Sequence, residues 1–236
     1  MTWLTRCPRA GLPYSAGFLR GCRSVRIAEI VSEINRTLKL KDERRERLIS
    51  YSREVIRRSG STILAIHRGD SASAAENLEA ARQALHSSLE VCRDQPEYLY
   101  LGALPQAMQE FAEASIVMAV LRGEDLPTPE EVGVPPEAYI AGLADAVGEM
   151  RRYALDSLRK DNMEEAERML KVMEEVYVSL KGLDYPRAVV PNLKRRVDMI
   201  RRQVEETRAD VTLAHHGRLI RGSIERAMDR LKGGGA

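Results

Sequence analysis

Charged side chains make up 31% of the 236 residues, so a window of eleven would ordinarily hold about three of them. Residues 111–121, FAEASIVMAVL, hold one, Glu113, and residues 138–148, AYIAGLADAVG, also hold one, Asp145. A helix that is apolar on every side is a buried helix, so both windows predict a buried carboxylate. Each has a second acid about one turn away, Glu110 three residues before Glu113 and Glu149 four residues after Asp145. Spacings of three and four bring both members of a pair onto one helix face.

Four acids meeting in a dry interior cannot all stay ionised, because desolvation costs several kcal/mol per ion and like charges repel. Three remedies are open: protonation, pairing with an arginine such as Arg151 or Arg152, or a divalent cation. A donor set of carboxylates without His or Cys suits a hard ion, Mg²⁺ or Mn²⁺, over zinc. A di-iron bundle asks for Glu-x-x-His, and neither pair supplies the histidine. Other constellations are weaker. His215 and His216 are adjacent and point to different sides of a helix, and His86 and His67 have no ligand partner at useful spacing. No GxSxG, Walker, GxGxxG or Cys/His zinc motif occurs.

The elements that must position these acids read as helices. Leu48, Ile49, Val55, Ile56, Ile63 and Ile66 recur at helical spacing from Asp42 to Arg68, where Gly69-Asp70 ends the run. Further helices are predicted from Ser73 to Cys92, from Glu97 to Arg122 with a bend at Pro105, and from Glu137 to Arg159. The next runs from Met163 to Lys181, capped by Asp161, stopped by Gly182, and packed through Met163, Met169 and Met173. The last starts after Pro191 and carries a charged tail towards Lys232. No alternating strand pattern and no NG or DG hairpin appears. The fold class is therefore all-α, an antiparallel helical bundle of six to seven helices. Four prolines between Gly123 and Pro136 make a turn that folds two helices back on each other. If that hairpin centres near Pro129, Glu113 falls opposite Asp145, and Glu110 within one residue of Glu149.

The net charge of +2 conceals an asymmetry. Residues 1–96 hold 17 Lys/Arg against 11 Asp/Glu, residues 97–175 hold 7 against 17, and residues 176–236 hold 13 against 7. Clustered guanidinium groups on the basic stretches suit phosphate oxygens, against the plainer reading of a solvated face salted with Glu. Aromatics are only 5% of the chain, so any nucleic acid would be held by backbone charge and shape more than by base stacking. Residues 1–25 carry Arg6, Arg9, Arg20 and Arg23 and no acid. They read as a basic extension or a start placed too far upstream, with a transit-peptide composition as the rival reading. The domains are then 1–25 as extension, 26–212 as the helical body and 213–236 as a C-terminal helical extension with a Gly-rich tail. Three cysteines without a CxxC pair fit a reducing interior, and no apolar run approaches the ~20 residues of a membrane span. A cytoplasmic protein without membrane contact is the expectation.

Four stretches in order, DERRERLISYSREVIRRSGSTILAIHR, QEFAEA at 109–114, YIAGLADAVGEMRR at 139–152 and Leu183–Asp198 ending in LKRRVD, resemble the translin superfamily. The resemblance spans about residues 42–212 and points to the translin-associated factor X branch, of archaeal type. It implies a bundle that assembles as a homo-oligomer, up to an octameric barrel, and an endoribonuclease that cuts single-stranded RNA, with single-stranded DNA as a further ligand. Glu110, Glu113, Asp145 and Glu149 match the branch's catalytic, Mg²⁺-holding set. Arg57, Arg58, His67 and Arg68 are the residues expected to grip the RNA backbone. Two other readings stand beside it: a non-catalytic single-stranded nucleic-acid-binding oligomer, and an all-α nucleotide pyrophosphatase. The latter would want Glu-x-x-Asp where this chain has Asp145-x-x-x-Glu149.

Overall fold

The computed structural model describes residues 24–233, and among them every regular element is helical. The elements are α1 (Ser24–His67), α2 (Ser71–Cys92), a 3₁₀ turn (Pro96–Tyr100), α3 (Leu104–Arg122), the single-turn α4 (Pro129–Val132), α5 (Pro136–Arg159), α6 (Met163–Lys181) and α7 (Leu193–Gly233). The Arg-rich start falls outside the described residues, except that Ser24 and Val25 already open α1. The charged tail after residue 213 continues α7 as helix.

By its internal packing the chain divides into two units, the second beginning at Glu46. In the first, Ile27, Ile30, Val31, Ile34 and Leu38 are more than half exposed, and their spacings of three and four align them in one stripe. The second unit holds the core. α5 packs against α3, α6 and α7, and α6 packs against α7. Ile116, Val147, Met150, Met169, Met173 and Ile200 are fully buried between these four helices, so the methionines of α6 pack as expected. A second cluster joins α1, α2 and α3 through Val55, Leu85, Met108 and Phe111. α3 is therefore enclosed on both sides, which is why its sequence tolerates so little charge.

Two local expectations are corrected. The helix predicted from Glu97 does not bend at Pro105 but breaks before it. Gly102 adopts a left-handed φ of 61°, and Pro105 sits in the first turn of α3, where its missing N–H costs nothing. At α6 the cap is Asn162, whose Oδ1 accepts the Glu165 N–H at 3.3 Å. Asp161 instead takes a left-handed φ of 59° and closes the preceding turn.

Candidate functional site

The site is built on the crossing of α3 and α5, and Gly142 makes that crossing possible. A Cβ there would lie 2.7 Å from the Gln109 carbonyl oxygen, 2.8 Å from the Ala112 Cβ and 2.8 Å from the Glu113 nitrogen. Only a hydrogen fits, so the α5 backbone lies directly on the stretch of α3 that carries Glu110 and Glu113. Tyr139 fixes the approach by donating its hydroxyl to the Pro127 carbonyl at 2.6 Å. The registration differs from the symmetric one by about a turn. The Gln109 amide, not Glu113, stands across from Asp145 and donates to its Oδ2. The single turn α4, with its Thr128–Glu131 capping box, shapes the connection.

Despite the shift, the four acids share one electrostatic environment. Burial pushes the Glu113 carboxyl up to about 8, and the charges of Glu110, Asp145 and Glu149 add to the rise while Arg196 opposes it. Neither Glu110 nor Glu113 has a hydrogen bond or ion pair to any described residue. Asp145 is held: the Arg196 guanidinium donates to its Oδ1 at 2.5 Å and bonds the Gln109 amide oxygen at 3.1 Å. Glu149 is held by His67, whose Nε2 lies 2.5 Å from its Oε2, with Arg152 at 4.0 Å. The other candidate partner, Arg151, is engaged on α7 with Asp210 at 3.1 Å, Glu206 at 3.5 Å and the Thr207 hydroxyl. Arg196, at the start of α7, is the arginine that reaches the acids.

All four donors are carboxylates, the chemistry of a hard divalent cation. With Asp145 turned to Arg196 and Glu149 to His67, no three His, Cys, Asp or Glu side chains among the described residues already converge as a metal cage. No side-chain partner among the described residues holds Glu110 or Glu113, and around Glu113 burial and three neighbouring carboxylates outweigh the opposing charge of Arg196. The residues thus fit a divalent cation in kind, with Asp145 exchanging Arg196 and Glu149 exchanging His67 for it.

The four residues expected to hold RNA are dispersed. Arg57 and Arg58 both pair with Glu54 on α1, at 2.5 and 2.8 Å, and Arg58 also donates to Asn77 of α2 at 3.0 Å. His67 is 6% exposed and faces the carboxylates, while its neighbour Arg68 is exposed. Sequence reasoning missed Gln109, Arg196 and the bond between His67 and Glu149. Those contacts join residues 36, 51 and 82 positions apart, which no local spacing reveals. Gly142 was detectable, since a glycine inside a helical run marks a close approach.

A family model described as "Translin family" matches residues 43–209. An uncharacterized protein of Methanocaldococcus jannaschii is 32% identical over 187 residues, covering 79% of this chain and 83% of its own. The solved structure of AfC3PO in complex with duplex RNA is 34% identical with a TM-score of 0.73, covering 80% of this chain and 98% of that one. A crystal structure of AfC3PO is similar at a TM-score of 0.70 and 34% identity, over 81% and 99% of the two chains. Apo-NeC3PO, 22% identical, shares the fold at a TM-score of 0.69, over 82% and 100%.

Proposed function

The chain belongs to the Translin family, and on that footing we propose that it is an oligomeric RNA-binding protein that hydrolyses RNA phosphodiesters with Mg²⁺ or Mn²⁺. The observation that carries this reading is the electrostatic coupling of the four carboxylates: burial raises the Glu113 carboxyl to about 8, and the charges of Glu110, Asp145 and Glu149 add to the rise. The duplex RNA bound to AfC3PO supports RNA as the ligand, and single-stranded RNA is our choice of substrate.

Glu110 and Glu113 would hold the cation first, joined by Asp145 and Glu149. When bound, such an ion polarises the scissile phosphate and lowers the pKa of a water. The protein's own groups do the rest. Arg196 anchors Asp145 and Gln109 and so sets the α5 face against α3. His67 fixes the Glu149 rotamer. A carboxylate oxygen left uncommitted accepts the proton of the attacking water.

A second reading is favoured by the Arg196–Asp145 pair: nucleic-acid binding without hydrolysis, with the acids as an internal ion-pair network. One incubation separates the readings. Labelled single-stranded RNA, duplex RNA, single-stranded DNA and nucleoside triphosphates are each presented with Mg²⁺ and with EDTA. The proposal expects RNA fragments only with Mg²⁺. Intact RNA that stays bound in both conditions would establish the binding-only reading, and pyrophosphate release from triphosphates would make the chain a nucleotide pyrophosphatase.

A further inference from the structure

His67 belongs to two places at once. It bonds Glu149, and it also lines a cavity of about 500 Å³ bounded by the ends of α1, α3 and α5 and the starts of α2 and α6. That volume lies in the range of small-molecule sites. Its wall carries Arg68, Arg122 and Lys160, with Tyr153 and an apolar side formed by Met118 and Leu121. Its one carboxylate, Asp156, is bonded to Arg159 at 3.2 Å. Arg68 and Lys160 have no acidic partner among the described residues, and Arg122 meets Glu124 only at 4.0 Å. Each of the three lies at or just past the C-terminus of a helix, where a cation is favoured by the helix dipole. That preference accounts for one cation per helix; it does not account for three lining one hollow beside an aromatic ring.

We propose that this cavity binds one nucleotide through its phosphate, with Arg68, Arg122 and Lys160 as the phosphate donors and Tyr153 with Met118 and Leu121 as the wall for the base. Guanidinium and ammonium groups match phosphate oxygens, and base stacking on an aromatic side chain is sequence-tolerant. Through His67 the bound nucleotide adjoins Glu149, so the cavity seats the RNA nucleotide that flanks the bond to be cut. The assignment rests on the hydrolase reading for the polymer, but not for the nucleotide.

The test is isothermal titration of the full chain, in EDTA, with uridine 5′-monophosphate, inorganic phosphate and uridine. The nucleotide is expected to bind, phosphate to bind more weakly and uridine to give no signal. The double variant Arg122→Gln/Lys160→Gln should lose at least tenfold in affinity for the nucleotide. Both positions are exposed, and an unchanged thermal unfolding curve verifies the fold. Absence of nucleotide binding by the wild-type chain, or equal affinity in the double variant, would overturn the assignment. Phosphate binding as tightly as the nucleotide would remove the base wall from it. RNA cleavage with Mg²⁺, measured in parallel, separates the two readings: cleavage without nucleotide binding removes the cavity alone, and nucleotide binding without cleavage removes the hydrolase alone.

Discussion

Glu113 loses most of its hydration to burial and faces the charges of three other carboxylates, and its behaviour with pH follows from both. Its carboxyl, raised from 4.5 to about 8, keeps its proton in the native protein while the unfolded chain has already lost it. The native state then binds more protons than the unfolded one between those values, so stability falls as pH rises through that window. At ~1.4 kcal/mol per unit the loss amounts to a few kcal/mol. Urea midpoints in EDTA at pH 5 and pH 8.5 should therefore show a decline in the wild type that Glu113→Gln flattens. An identical decline in both would contradict the placement of Glu113. Arg196 acts in the opposite direction, so Arg196→Gln should steepen the wild-type decline, measured the same way. Glu113 and Asp145 were legible in the sequence because each stands alone in an apolar window, and Glu110 and Glu149 followed from their spacing of about one turn. Their partners were not, because His67, Gln109 and Arg196 reach them across the fold.

At the scale of the element, the crossing of α3 and α5 decides which residues of the two helices face each other. Helix propensity alone says that Gly142→Ala should stabilise by up to ~1 kcal/mol. The close contacts of its missing Cβ with α3 backbone atoms say that the helices must part, at a cost of ~1–3 kcal/mol. Denaturant unfolding of that variant should show net destabilisation, together with reduced RNA cleavage. A more stable variant would mean that the helices are not in contact there. The helices themselves were readable, because apolar periodicity and the Pro-rich turn fix most boundaries within a few residues. What escaped was local backbone geometry: the break before Pro105 at Gly102, the cap at Asn162 after the left-handed Asp161, and the shift of about a turn set by the connection between α3 and α5.

For the molecule as a whole, the acidic middle of the sequence contains all four carboxylates of the site, and the basic flanks supply Arg68 and Arg196. Among the described residues no helix is long and apolar enough to cross a membrane. In the proposed oligomer, light scattering should return a mass that is a multiple of 26.5 kDa; a monomer at micromolar concentration would contradict it. RNA affinity should fall steeply with salt, as expected for phosphate contacts, and equally so in Glu113→Gln. The most direct measurement is cleavage of labelled single-stranded RNA by the wild type and by Glu113→Gln, side by side in Mg²⁺, with RNA affinity measured for both. The four-carboxylate centre predicts fragments from the wild type, none from the variant, and matching affinities. Fragments at the same rate from Glu113→Gln would contradict it.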